Sequence, residues 1–281
     1  MQKASKRTVV ITGTNKGIGF SIVEKLLAGE TAYEIISTSR TEKLGHEAVS
    51  KLKEKYPSST STLIYHQLDV SDSKSVDTFA NWLKNTTGKL DVLINNAGIS
   101  SLAPTEEQKH QIIQTNYLGT VYLTEKLLPL LAADGKVIFV SSTLGSISYQ
   151  GPTLKAIIEK EGLTEEELNQ AAKNAIEVTK DGTQPEAIYP ASKAFLNTYI
   201  RKFLPNKLKK SQHYFSVCPG LCETDMTSAF LKLENLVLPP GVEVITAEEG
   251  ADTPVFLTNL PFEKHSELNG LFVHKRQAQV Y

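Results

Sequence analysis

A tyrosine and a lysine stand four positions apart in the segment I-Y-P-A-S-K, as Tyr189 and Lys193. On a helix, this spacing places two side chains one turn apart on the same face. A free tyrosine has a pKa of about 10 and transfers protons poorly near neutral pH. An ammonium group one turn away favours the phenolate, so we expect Lys193 to lower the pKa of Tyr189 and make it a usable acid or base. The same residues also suit ordinary helix entry, because Pro190 in the first turn loses no hydrogen bond.

A glycine-rich segment near the N-terminus, T-G-T-N-K-G-I-G at residues 12–19, suggests a second kind of chemistry. It follows an apolar run and precedes an amphipathic segment, which indicates a turn from strand into helix. Glycines allow the backbone to approach a diphosphate, and the helix N-terminus offers free N–H groups and a positive dipole end. The spacing G-x-x-x-G-x-G differs from G-x-G-x-x-G, and such glycines can also be purely structural. The predicted dinucleotide-binding residues here are Gly13, Asn15, Lys16, Gly17, Ile18 and Gly19.

The end of the second apolar run indicates which dinucleotide binds. NAD-binding proteins usually carry Asp or Glu about 20 residues after the glycine turn, where it binds the ribose 2′-hydroxyl. Here the run ends S-T-S-R, with Ser39 and Arg40 and no acidic residue. Lys16 lies in the glycine turn, so two cations could converge on a 2′-phosphate. The sequence therefore predicts NADP(H) as cofactor, and the alternative is that Lys16 and Arg40 are simply solvated surface cations.

The composition is that of an ordinary globular protein, with 281 residues, 40% hydrophobic and 22% charged. The 30 basic and 31 acidic residues nearly cancel, and no basic run is longer than a pair, so nucleic acid and acidic membranes are not expected partners. The first apolar run is too short for a signal core or a membrane span, which predicts a cytoplasmic protein. Cys218 and Cys222 are spaced C-x-x-x-C and are expected to pack beside a turn, with no metal bound.

Short apolar runs alternate with longer segments of helical periodicity along the whole chain. This alternation predicts an α/β fold, a single-domain doubly wound (Rossmann) parallel sheet with helices on both faces. Ligands of such folds bind beyond the carboxyl ends of the strands. Strands are predicted at 8–12, 34–38, 62–70, 90–98, 136–142, 214–220 and 270–273. Helices are predicted at 17–28, 42–56, 72–86, 106–132, 191–210 and 247–259.

Residues 151–184 do not fit this alternation, because they lie between a strand and the helix expected to follow it. They show helical patterning and a capping-box sequence at Thr164 to Glu167. We expect a helical insertion within the single domain of residues 1–281.

Seven motifs occur in the order and approximate spacing of the classical short-chain dehydrogenases/reductases, and the chain resembles that family. They are T-G-T-N-K-G-I-G, L-D-V with Asp69, N-N-A-G at 95–98, Q-T-N-Y-L-G-T with Asn116, V-S-S at 140–142, Y-P-A-S-K at 189–193 and C-P-G-L-C-E-T-D-M at 218–226. The wording N-K-G-I-G, the insertion, P-G-x-x-x-T-D-M and F-V-H-K-R are most similar to the monomeric carbonyl reductases.

The resemblance implies a catalytic group for reducing a carbonyl with hydride. Tyr189 would donate the proton, and Lys193 would tune it and bind the nicotinamide ribose. Ser142 would bind the substrate oxygen, with Ser141 as the alternative. Asn116 would hold a water that connects Lys193 to solvent.

The resemblance also implies further cofactor contacts. Asp69 and Val70 would lie beside the adenine, although Asp69 could instead cap the next helix. The strand end at Asn96, Ala97 and Gly98 would touch the adenine ribose. The turn that orients the carboxamide would contain Pro219, Gly220 and Thr224.

The substrate is expected to be a neutral, mostly apolar small-molecule ketone, aldehyde or quinone, because residues 225–242 are largely apolar. A monomer is expected, since the insertion should cover helices through which many family members associate. The other functions considered are an NADP-dependent alcohol dehydrogenase acting oxidatively, a non-catalytic NADPH-binding regulatory protein and a structural interaction protein.

Overall fold

The structure is a computed structural model that describes residues 6–181, 188–234 and 236–279. A central sheet has the strand order β10-β9-β6-β5-β4-β1-β2-β3, and a second, two-stranded sheet pairs β7 with β8. The strands are β1 Arg7–Ile11, β2 Tyr33–Ser39, β3 Thr62–Gln67, β4 Leu90–Asn95, β5 Leu131–Val140, β6 His213–Val217, β7 Leu221–Glu223, β8 Val244–Thr246, β9 Phe272–His274 and β10 Gln277–Gln279.

The central sheet is parallel except at one edge, where β10 pairs antiparallel with β9. The strand order reverses beside β1, which pairs with both β2 and β4; Val9 is opposite Ile35 on one side and Val92 on the other. In such sheets the crevice at the reversal lies outside the carboxyl ends of the strands and holds the ligand.

Helices cover both faces of the sheet. Leu26 of α1 and Leu257 of α12 belong to the core on one face. Phe79 of α3 and Phe195 of α9 belong to the core on the other. The predicted single-domain doubly wound α/β fold is confirmed. The helices are α1 Gly17–Ala28, α2 Glu42–Lys55, α3 Ser73–Thr86, α4 Glu106–Ile113, α5 Thr120–Leu127, α6 Pro152–Glu159, α7 Glu165–Lys173, α8 Ala175–Val178, α9 Ile188–Lys202, α10 Ser228–Leu231, α11 Ala247–Gly250 and α12 Asp252–Asn259.

The helix predicted at 106–132 is interrupted. A π-helical turn, Gln114–Gly119, separates α4 from α5, and the chain enters β5 at Leu131. The π turn contains Gly119, whose missing Cβ leaves room for the Val70 carbonyl. A side chain there would collide with the backbone, so the close approach of this helix to the end of β3 depends on glycine.

Other boundaries also differ from the prediction. The helix predicted at 191–210 begins at Ile188 and ends at Lys202, before a 3₁₀ turn containing Pro205. The helix predicted at 247–259 divides at Ala251. Strands β7, β8 and β10 were not predicted, because three-residue strands carry too little periodicity to recognise.

The insertion consists of α6, α7 and α8, and its residues 182–184 lie outside the described part of the chain. The capping box predicted at Thr164 and Glu167 begins α7. Helix α7 packs against α4 and α9, and the buried Tyr117 hydroxyl donates to Asn169 Oδ1 at 2.6 Å. The insertion thus covers the outer side of the helices that carry Asn116 and Tyr189.

Candidate active site

A cleft of about 700 Å³ opens where the glycine turn, the ends of β2 to β6 and the first turns of α9 meet. Sixteen of the predicted cofactor-site residues line it; Gly220 does not. Those that line it are Gly13, Asn15, Lys16, Gly17, Ile18, Gly19, Arg40, Asp69, Val70, Asn96, Ala97, Gly98, Tyr189, Lys193, Pro219 and Thr224. Prediction missed other lining residues, among them Ser39, Thr41, Leu44 and Ser100.

The glycine turn forms a cradle that side chains would fill. Gly13 and Gly17 have φ of 70° and 58°, the left-handed region that favours glycine. A Cβ on Gly19 would overlap the Gly13 carbonyl. Helix α1 begins at Gly17, and the preceding Lys16 makes no side-chain cap, so the first N–H groups of the helix face the cleft without a capping side chain. This backbone fits the diphosphate of a dinucleotide.

Thr12 and Asn96 hold the glycine turn against the end of β4. Thr12 Oγ1 accepts hydrogen bonds from the backbone N–H groups of Asn96 and Ala97, at 3.0 and 2.9 Å. Asn96 Nδ2 donates to the carbonyls of Thr12 at 2.8 Å and Gly13 at 3.2 Å. Asn96 therefore lies in the cleft as predicted, but its amide N–H groups stabilise the turn. Thr12 was missed, although its position directly before Gly13 was the available signal.

The two predicted phosphate-binding cations differ in their surroundings. Arg40 is exposed and forms no ion pair with any residue that the structure describes. Lys16 Nζ lies 2.7 Å from Asp225 Oδ2, and both side chains are largely exposed, at 63% and 74%. Lys16 lowers the pKa of the Asp225 carboxyl through this contact. Exposed ion pairs contribute little to stability, so Lys16 can exchange Asp225 for another anion at little cost.

Asp69 does not cap the following helix. Its Oδ1 accepts from the backbone N–H and the hydroxyl of Ser71, at 2.9 and 2.6 Å. Asp72 caps α3 instead, by accepting from the Lys74 N–H at 2.9 Å. The alternative prediction that Asp69 caps the next helix is therefore wrong. Asp69 instead stabilises a local turn at the wall of the cleft.

Tyr189 and Lys193 lie one turn apart in α9, as predicted. Lys193 is buried, and its Nζ donates to the Val140 carbonyl at 2.9 Å and lies 5.8 Å from the centre of the Tyr189 ring. Ser142 lies close enough to Tyr189 to lower the pKa of its phenol, and its Oγ accepts from the Leu144 N–H at 3.2 Å. Ser141 is buried, and its hydroxyl donates to Asn197 Oδ1 at 2.7 Å. Of the two serines, the structure therefore places Ser142 next to the phenol.

The pKa of Tyr189 shifts in the direction opposite to the prediction. Burial raises it, nearby Cys218 acts in the same direction, and Ser142 opposes both. Burial also lowers the pKa of Lys193 to about 8. The expected net lowering of the Tyr189 pKa by Lys193 is wrong, because desolvation of the phenol raises this pKa and the Lys193 ammonium is held by the Val140 carbonyl. The raised pKa of Tyr189 favours the protonated phenol.

Asn116 lies in the π turn, beneath the cleft. Its Oδ1 accepts from the Ile99 N–H at 2.8 Å, and its Nδ2 donates to the Ile99 carbonyl at 2.9 Å and to Ser192 Oγ at 3.0 Å. Ser192 Oγ in turn donates to the Tyr189 carbonyl at 2.7 Å. Asn116 thus connects to the Tyr189 segment through Ser192, which was not among the residues predicted for the site. A π turn of this kind frequently marks a functional site.

The turn after β6 closes the opposite wall of the cleft. Pro219 and Thr224 line it, whereas Gly220, with φ of 92°, turns the chain behind them against Ile245.

Cys218 and Cys222 are buried free thiols. Within the described residues, no group of three or more His, Cys, Asp or Glu side chains could hold a metal ion. No helix described in the structure is both long enough and apolar enough to cross a membrane.

Comparisons with known proteins identify the family of the chain. Residues 7–154, just over half of the chain, match the family model for short chain dehydrogenases. The chain is 32% identical to (+)-neomenthol dehydrogenase of Arabidopsis thaliana, with all of both chains covered. It is 32% identical to carbonyl reductase [NADPH] 1 of Rattus norvegicus, with 99% of each covered. The solved structure of salutaridine reductase from Papaver somniferum superimposes with a TM-score of 0.79 at 30% identity, covering 95% of this chain and 99% of that one.

The family model spans the strands and turns that build the glycine cradle, and these relatives cover nearly the whole chain, including the segment with Tyr189 and Lys193. A nicotinamide cofactor fits the backbone cradle described above. The chain belongs to the classical short-chain dehydrogenases/reductases, close to the carbonyl reductases.

Proposed function

We propose that this oxidoreductase uses NADPH to reduce the carbonyl group of an apolar ketone, aldehyde or quinone to an alcohol. The observation that carries the proposal is the partly buried phenol of Tyr189, which shares one cleft with the diphosphate cradle and Lys193 and lies beside Ser142. Desolvation raises the pKa of Tyr189, which favours the phenol that reduction needs as acid over the phenolate that oxidation needs as base.

When bound, the reduced nicotinamide supplies the hydride that adds to the carbonyl carbon. Ser142 donates a hydrogen bond to the carbonyl oxygen, and Tyr189 transfers its phenolic proton to that oxygen as negative charge develops there. Lys193, oriented by the Val140 carbonyl, binds the ribose and stabilises the phenolate that remains. The phenolate regains its proton from solvent by way of Lys193 and a water held near Asn116.

The surroundings of the cleft favour an apolar substrate. Met226 lines the cleft and is 41% exposed. Leu144 and Tyr149, in the turns directly after Ser142, and Leu102 are also exposed apolar side chains. Apart from Lys193, no lysine or arginine lies within four residues of Tyr189 in the sequence. Neutral carbonyl compounds are therefore preferred over anionic ones.

A panel of carbonyl compounds assayed with NADPH and with NADH tests the function. We expect oxidation of NADPH with small hydrophobic ketones, aldehydes or quinones, and weaker activity with NADH. The absence of turnover across a broad panel, from protein that still binds NADPH in a fluorescence titration, would reject the enzymatic proposal in favour of a binding-only role.

Arg40→Ala is expected to weaken NADPH binding selectively. A hydrogen-bonded charge pair with the 2′-phosphate contributes about 1.5–3 kcal/mol, so the Kd for NADPH should rise about 10- to 100-fold. The Kd for NADH should change by less than about twofold, since that cofactor lacks the phosphate. Lys43→Ala is the matched control, because Lys43 is an exposed cation of α2 outside the cleft. Equal weakening of NADPH and NADH binding would show that Arg40 does not read the 2′-phosphate.

We also propose that the protein is a monomer. Helix α7 lies over α4 and α9, with Leu168 and Ala172 buried beneath it. Two ion pairs of Lys207, with Glu125 and with Glu165 of α7, join the insertion to the domain. The outer surface of α9 is thus covered by the chain itself, and light scattering should give the mass of one chain.

A further inference from the structure

One buried amide joins the strands and the helix that carry the candidate catalytic group. Asn197 is 3% exposed and lies in α9 one turn after Lys193 and two turns after Tyr189. Its Oδ1 accepts from Ser141 Oγ at 2.7 Å, at the end of β5, and from Ser216 Oγ at 3.3 Å, in β6. A single side chain therefore links three elements beneath the cleft.

The turn that carries Ser142 is held on both sides. Before it, Ser141 is fixed by its hydroxyl bond to Asn197 and by its N–H, which donates to the Val217 carbonyl at 2.7 Å. After it, Gly145 packs so closely on α9 that a Cβ would lie 2.5 Å from Asn197 Nδ2 and 2.7 Å from the Lys193 carbonyl carbon. The Gly145 N–H also donates to the Ser142 carbonyl at 3.0 Å. Ser142 thus lies in a short segment that contacts Asn197 at both ends. Ser141 forms a hydrogen bond with Asn197, and Gly145 packs closely against it.

We propose that Asn197 is a positioning residue, which sets the place of Ser142 relative to Tyr189 without touching substrate or cofactor. Without the Asn197 oxygen, the buried Ser141 hydroxyl must find another acceptor, and the backbone that leads into Ser142 must shift. Displacement of a reacting group by about 1 Å can cost about 10²-fold in rate. This inference rests on the proposed reduction, in which Ser142 binds the carbonyl oxygen.

Asn197→Leu, Ser141→Ala and Ser216→Ala separate this role from general packing. We expect kcat to fall about 10- to 100-fold in the first two, which remove the same hydrogen bond. The double variant Asn197→Leu, Ser141→Ala should lose no more kcat than the more affected of the two single variants, because both substitutions remove the same hydrogen bond. Ser216→Ala is the matched control, since it removes a bond to the same oxygen but leaves the hydrogen bond between Ser141 and Asn197 in place. Its kcat should stay within about twofold of the unmodified enzyme.

Adding Asn197→Leu to a Ser142→Ala variant distinguishes positioning of Ser142 from a merely structural role of Asn197. If Asn197 acts through Ser142, Asn197→Leu should not lower kcat further in that background. The same fold loss in both backgrounds, or equal losses from Asn197→Leu and Ser216→Ala, would overturn the proposal. Ser141→Ala in both backgrounds serves the same purpose if Asn197→Leu does not fold.

A crystal structure of Ser141→Ala or Asn197→Leu makes the test independent of turnover. We expect Ser142 Oγ to move away from the Tyr189 hydroxyl, and an unmoved Ser142 would overturn the positioning role. If instead the unmodified enzyme reduces no carbonyl compound, the proposed reaction fails, whereas the displacement of Ser142 still decides whether Asn197 positions it.

Discussion

Tyr189→Phe is expected to lower kcat for carbonyl reduction by about 10²–10⁴-fold, the usual contribution of a positioned proton donor. The substitution removes one hydroxyl and keeps the ring, which packs against the core that contains Phe195. Because the phenol donates to the reacting oxygen rather than to the dinucleotide in the proposed mechanism, the Kd for NADPH should change by less than about twofold. Fluorescence titration and steady-state kinetics on the same preparation measure the two effects.

Tyr122→Phe is the matched control for this prediction. Tyr122 lies in α5, away from the cleft, and its hydroxyl donates to Asp77 Oδ1 at 3.0 Å. It loses a hydroxyl in the same way and should keep normal turnover. Comparable losses in both variants would indicate damaged folding, and full activity of Tyr189→Phe would remove Tyr189 from the mechanism.

Lys193→Met is expected to impair both turnover and cofactor binding while making the folded protein more stable at pH 7. Turnover and NADPH affinity fall because Lys193 supports the phenolate and binds the ribose in the proposed mechanism. Stability rises because burial lowers the pKa of Lys193 to about 8 from its ordinary 10.5, which is a cost of keeping a lysine there. After loss of the Val140 hydrogen bond, the net gain should be about 1–3 kcal/mol.

The pH dependence of this gain has a definite sign. Between about pH 8 and 10.5 the unfolded chain binds a proton at Lys193 that the folded chain releases, so the enzyme regains stability as pH rises. The advantage of Lys193→Met should be complete below pH 8 and should fade towards pH 10.5. Urea unfolding at a series of pH values measures it, with exposed Lys43→Met as the control. A variant less stable than the unmodified enzyme at pH 7 would contradict the burial cost.

Such a gain would show that the site is maintained at the expense of stability. Methionine fills a similar volume without a buried charge, so a gain in stability together with a loss of turnover would indicate that Lys193 serves the chemistry of the site rather than its packing. The prediction therefore distinguishes a functional Lys193 from a merely tolerated one.

Local patterns in the sequence were sufficient for the parallel sheet, for the glycine turn and for the Tyr189 and Lys193 pair. Each depends on neighbours in the chain: apolar periodicity, glycines before a helix, or a spacing of one helical turn. Asn116 and Ser142 have no such local signal, and only the resemblance to a family of known chemistry singled them out. The division of the predicted helix at 106–132 was missed, because the room that Gly119 leaves for the Val70 carbonyl is a contact between distant segments.

The sequence by itself determined most of the segments that meet at the cleft, since strands of a parallel sheet end on one side and bring their following turns together. Only the tertiary structure decided what those residues do there. It pairs Lys16 with Asp225, 209 positions away, and turns the Asn96 amide onto the glycine turn. It also raises the pKa of Tyr189 where the local pattern predicted a fall. The reason is physical: desolvation and hydrogen bonding depend on every group packed around a side chain, and most of those groups come from other parts of the chain.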